Sequence, residues 1–72
     1  MTPEQDFFIY LLESYSRYKD LPTSFVLQEL DDLELTNLIC NDMYWRYHTE
    51  AIENAFEDID KLIEEKKNKI KH

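Results

Sequence analysis

Residues Tyr44–Ile63, YWRYHTEAIENAFEDIDKLI, run from an aromatic helix end through a polar joint into a second amphipathic helix, with neither glycine nor proline in between. Ile52, Ala55, Phe56, Ile59, Leu62 and Ile63 recur at spacings of three and four, which at about 100° per residue puts them on one helix face. The stripe continues through Lys66 to Ile70, while Glu53, Glu57 and Asp60 lie along its flank instead of converging on a pocket. Thr49 is the expected N-cap of this helix, with Glu50 and Glu53 in the first turn where acids suit the positive end of the dipole. Lys66, Lys67, Lys69 and Lys71 suit its negative end, and fraying is expected over residues 66–72.

Upstream, Leu35, Leu38, Ile39, Met43 and Tyr47 mark a third helix ending near His48. Phe25, Val26, Leu27, Leu30 and Leu33 mark a short second one, capped by Thr23 or Ser24 and stopping near Asp32, before the acids at its end. The first helix starts at Pro3 after Thr2 as N-cap and runs to about Lys19, with Phe8, Leu11, Leu12, Tyr15 and Tyr18 as its stripe and Phe7 at the edge. Pro22 pushes Leu21 towards an extended conformation, so a turn is expected at Asp20 to Pro22. Since the chain contains no glycine, its turns are expected to be short and ordinary. No segment alternates as a strand would. The expected architecture is all-α, four helices in one small domain spanning residues 1–72, arranged as a bundle or in orthogonal packing.

A core drawn from 72 residues supplies only about 3–5 kcal/mol of net stability, so a partner adds something such a chain can use. Hydrophobic residues at 43% and aromatics at 14% are too many for a disordered tail. The apolar run Phe7–Leu12 is far short of the roughly 18 residues that span a bilayer, and no lysine or arginine precedes it as in a signal peptide. With Cys40 as the lone cysteine, cytoplasmic location is the expectation. Asp42 beside Cys40 works against a reactive thiolate and favours a small half-buried hydrophobe.

Charge is distributed unevenly: residues 1–60 carry fourteen acids against three bases, whereas residues 61–72 carry five lysines against two acids, for a net charge of −8. So acidic a body repels phosphate backbones, so direct nucleic-acid binding is not expected and a basic protein is the natural partner. The plainer reading is that the acids keep a small domain soluble.

Catalytic inventory is thin. His48 could serve as a general base with a nearby carboxylate, but a histidine at a helix end more often caps carbonyls or packs on an aromatic ring. Glu53, Glu57, Asp58 and Asp60 lack the central glycine of a calcium loop, and the Glu-x-x-His pairs of a dimetal bundle are missing. No cofactor or metal is expected, and the carboxylates are better read as a solvated helix face. Ile9 and Tyr10 lie off the main stripe of the first helix, and Tyr44 and Trp45 are neighbours at the end of the third. These residues and Ile70 cannot all enter one small core, and surplus aromatics are favoured as interface anchors.

Three segments together resemble a family of short bacterial helical domains of unknown function: FFIYLLESY at 7–15, Tyr44-x-x-x-His48-Thr49, and AIENAFEDIDKLI at 51–63 with its Asp58-Ile59-x-x-Leu62-Ile63 core. Members of that family are often encoded beside a domain resembling ADP-ribosyltransferases. The resemblance implies a toxin–antitoxin arrangement with the short acidic domain as the neutralising partner; the lysine-rich tail lies outside the motif. A protein-binding module, antitoxin-like in action, is therefore the first expectation, with Ile9, Tyr10, Tyr44, Trp45 and His48 as contact residues and Glu53, Glu57 and Asp60 as an acidic rim. A structural homodimer burying surplus surface of the first and last helices is the alternative, and an enzyme using His48 comes third.

Overall fold

A computed structural model describes residues 2–70; Met1, Lys71, His72 and the side chain of Ile70 fall outside that description. Four α-helices follow in order: α1 (Pro3–Lys19), α2 (Thr23–Asp32), α3 (Thr36–Tyr47) and α4 (Phe56–Ile70), with a 3-10 turn at Ile52–Ala55 leading into α4. No strand occurs among the described residues. α1 packs chiefly on α3 and then on α2, and the 3-10 turn touches both α3 and α1.

The start of α1 is the local code at work. Thr2 accepts from the Gln5 amide at 3.2 Å while the Gln5 side chain accepts from the Thr2 amide at 3.1 Å, a complete capping box with Pro3 in the first turn. Its end departs from the expected ordinary turn. Asp20 takes φ 58°, and Leu21 N–H closes on Ser16 C=O at 2.9 Å while Asp20 N–H closes on Arg17 C=O at 3.1 Å. That is a Schellman closure, whose left-handed residue is usually glycine.

α2 ends the same way. Glu34 has φ 60°, Leu35 N–H bonds Leu30 C=O at 2.8 Å, and Glu34 N–H bonds Asp31 C=O at 3.0 Å. The apolar pair that accompanies such a closure is present in Leu30 and Leu35, both buried. A chain without glycine thus still needs two left-handed residues, and takes aspartate and glutamate for them.

Two expected caps are not caps. Pro22, not Thr23 or Ser24, occupies the N-cap of α2, its carbonyl accepting from the amides of Phe25 and Val26. Thr49 lies in the turn before the 3-10 segment, whose N-cap is Ala51 without a side-chain bond. Packing outweighs the capping preference here: the tight turn seats Ala55 and Phe56 against the core, with Ala55 wholly buried.

The core combines Leu11, Leu12 and Tyr15 of α1, Val26 and Leu30 of α2, Leu33 and Leu35 of the junction, Ile39 and Met43 of α3, and Ala55, Phe56, Ile59 and Ile63. Tyr18, Phe25 and Leu38, placed on core stripes by periodicity, are instead exposed. Ser16 takes a buried place and satisfies its hydroxyl by donating to Leu12 C=O at 2.7 Å. α4 reaches each of the other helices through a polar link: Asp60 to Tyr15 and Lys19 of α1, Glu29 of α2 to Lys67 at 3.0 Å, and Asp58 to Tyr47 and Arg46 of α3.

Candidate functional site

α3 ends in three rings stacked on its outer surface. Tyr44 and His48 are one helical turn apart, so their rings meet face to face at 4.3 Å and 18°. Trp45 sits edge-on to both, 5.1 Å from Tyr44 and 6.2 Å from His48, and at 71% exposure it is the most open large hydrophobic residue described. Across the α1–α3 contact, Phe7 meets Tyr44 edge-on at 5.9 Å and Tyr10 at 6.5 Å. The result is a ladder running Trp45, His48, Tyr44, Phe7, Tyr10, edge-to-face throughout except for the stacked Tyr44–His48 pair.

Tyr10 also lines a groove of about 440 Å³ between α1 and the 3-10 turn, together with Ser14, Arg17, Tyr18, Ile52, Glu53 and Phe56. Tyr18 stacks on Phe56 at 4.8 Å across its floor. Arg17 and Glu53 form no ion pair among the described residues, so the groove holds one free charge of each sign. Ladder and groove share Tyr10 and make one continuous aromatic surface.

His48 is committed at one nitrogen: Nδ1 lies 2.7 Å from Tyr44 C=O and donates to it. It packs on Tyr44 and bonds a carbonyl, and no carboxylate hydrogen-bonds it among the described residues. Cys40 is half-buried, with its sulfur 3.8 Å from Glu4 C=O, and burial followed by the Glu4 charge raises its thiol pKa. That direction keeps it a thiol at neutral pH. Among the described residues no three His, Cys, Asp or Glu groups gather closely enough to hold a metal ion, and no helix is long and apolar enough to cross a membrane.

Of the residues expected at a contact surface, the fold joins Tyr44, Trp45 and His48 directly, Tyr10 through Phe7, and Glu53 through the groove. Ile9 is exposed but lies about 100° round α1 from Tyr10, outside the groove. Glu57 is exposed and lines no groove with them. Asp60 is not free: it accepts from Tyr15 and pairs with Lys19 at 3.0 Å, under the end of α1. Phe7, Arg17, Tyr18, Ile52 and Phe56 complete the surface without having been singled out for it. The signal for the α1 part was the spacing of Tyr10, Ser14 and Tyr18 at four and four; Ile52 and Phe56 join it only through the packing of the 3-10 turn on α1.

These features define an all-α domain whose most distinctive surface is aromatic and open to solvent. A family model described as "Protein of unknown function (DUF3791)" matches residues 6–66, and the chain belongs to that family. The three segments that carry the resemblance described above all lie within the matched span. No curated protein and no solved structure matches the chain.

Proposed function

We propose that this chain is a small protein-binding module that acts by docking and not by catalysis, with the Trp45–His48–Tyr44–Phe7–Tyr10 ladder and its adjoining groove as the contact surface. The observation that carries the reading is Trp45, 71% exposed and set edge-on against Tyr44 and His48. A large aromatic exposed at the surface is the kind of residue that dominates interface energies. Glu53, which lines the groove and has no ion-pair partner among the described residues, supplies acidity at its edge. With a net charge of −8 the partner in this reading is a basic protein, met in the cytoplasm. Antitoxin-like inhibition of a toxin domain encoded beside this chain is the more specific form of the proposal, and its support is the family resemblance.

The test is co-purification of the protein encoded next to this chain, using wild type, Trp45→Ala and Tyr44→Ala. Capture by the wild type, loss of at least about tenfold in affinity in either variant, and weakening with salt support the proposal. Equal capture by all three chains, or capture indifferent to salt, counts against the surface or its electrostatics respectively.

A homodimer is a second reading with its own observation. Arg17 and Glu53 lie in one groove, so a copy related by a two-fold axis would pair Arg17 with Glu53 twice over. Sedimentation at high concentration decides it, since a monomer there removes the reading.

A further inference from the structure

A second surface, sharing no residue with the aromatic ladder, lies between α2 and α4. Phe25 stands 53% exposed although its neighbour Val26 is buried. Beside it opens a mainly apolar groove of about 260 Å³ lined by Phe25, Gln28, Glu29, Asp32, Leu33 and Lys67. Phe25, Gln28 and Asp32 follow one another at three and four residues, so α2 presents a stripe that is apolar at its start and acidic at its end.

That acidic end is unfavourable for α2 alone. Asp31 and Asp32 stand in the last turn, at the negative end of the helix dipole, where a base would stabilise and none is present. Lys67 is the one cation lining the groove and is held by Glu29 at 3.0 Å. Asp31 accepts from the Thr36 hydroxyl, and Asp32 from the Gln28 amide at 2.9 Å, both neutral donors. Neither aspartate forms an ion pair among the described residues.

We infer that the α2–α4 groove docks a cationic amphipathic segment of a partner protein. An apolar side chain of that segment packs between Phe25 and Leu33, and a lysine or arginine about one helical turn away meets Asp32 at the negative end of α2. The charge complementarity is local, since it supplies the cation that the helix end and Asp32 lack. An apolar helix face laid in such a groove, with charges fixing its direction, is a recurrent mode of peptide recognition.

The experiment titrates a synthetic amphipathic peptide of leucine and lysine, about four helical turns long, into the isotope-labelled full chain, with an oligolysine of equal charge as comparator. Amide shifts at Phe25, Gln28 and Leu33 are expected, with binding that weakens as salt rises to about 0.15 M. Phe25→Ser and Asp32→Asn each weaken it about five- to tenfold, whereas Trp45→Ala leaves it unchanged. Both substituted side chains are exposed, and unchanged helical circular dichroism verifies folding. Four results overturn the inference: equal binding of oligolysine; shifts confined to Tyr44, Trp45 and His48; full affinity in both variants; or peptide-free self-association that Phe25→Ser abolishes, which assigns the groove to a second copy. Because this surface and the ladder carry separate substitutions, failure of one leaves the other standing.

Discussion

The Tyr15 hydroxyl of α1 donates its hydrogen to Oδ1 of Asp60 on α4, the same oxygen that Lys19 Nζ holds at 3.0 Å. Lys19 lies 5.7 Å from the centre of the Tyr15 ring and 5.5 Å from that of Tyr18, so one ammonium bridges a carboxylate and two aromatic faces. Asp60 therefore serves as a strut between the first and last helices, although its place on a flank of acids marks it for a rim.

Tyr15→Phe keeps the buried ring and removes only the donor. Asp60 retains Lys19 and solvent, so the loss is expected to be about 1 kcal/mol, the net value of one hydrogen bond. For a domain of this size that lowers the melting temperature by several degrees, read directly by thermal unfolding. No change in melting temperature would show that Lys19 alone holds Asp60.

Alkaline stability follows from the same contact and its counterpart on α3. Burial first, and then the bond to Asp60, raise the pKa of Tyr15; for Tyr47 the bond to Asp58 is the leading cause of its upward shift. A phenol whose pKa rises on folding holds its proton more tightly when folded. Its stabilising effect is complete below the ordinary tyrosine value of about 10 and is lost as pH climbs above it. Denaturant unfolding is expected to give a fall in stability beyond about pH 10 that is shallower in Tyr15→Phe and Tyr47→Phe than in the wild type.

Cys40 is expected to react slowly with thiol reagents in the native state. Half-burial and the Glu4 charge both disfavour the thiolate, which is the reacting form. Modification with a chromogenic disulfide near neutral pH should run well below the rate of the same chain in denaturant. Equal rates would mean that α1 and α3 part readily around this residue.

Glu34 holds φ 60° at the close of α2, where a side chain costs about 1–2 kcal/mol relative to a right-handed conformation. Glu34→Gly removes that cost and one negative charge near the dipole end, against some added chain entropy. A net gain of about 0.5–1 kcal/mol is expected in denaturant titration. Asp20→Gly at the end of α1 should gain less, because aspartate tolerates the left-handed region better than glutamate.

Helix identity and most helix limits were legible in the residues. The Thr2–Pro3 start, the ends near Lys19 and Asp32, the close of α3 near His48 and the stripe from Ile52 to Ile63 each rest on neighbours within one or two turns, where spacing and capping act directly. The entry to α4 was not, because Thr49 had to yield to a turn set by what Ala55 and Phe56 pack against.

Long-range pairing decided the rest. Periodicity says that Tyr18 and Phe25 share an arc with buried residues, yet a helix covers its neighbour only over the width of their contact, and both side chains fall at its margins. Ser16 enters the core because the α1–α2–α3 packing closes over its side of α1, and its hydroxyl is satisfied within its own helix. The Phe7–Tyr44 contact that joins two helices into one aromatic ladder spans residues far apart in the chain, as do the Asp60–Tyr15 and Glu29–Lys67 links. A helix's sequence determines which faces are apolar; which of those faces is left open depends on how the helices cross, and that is settled by the packing of all four at once.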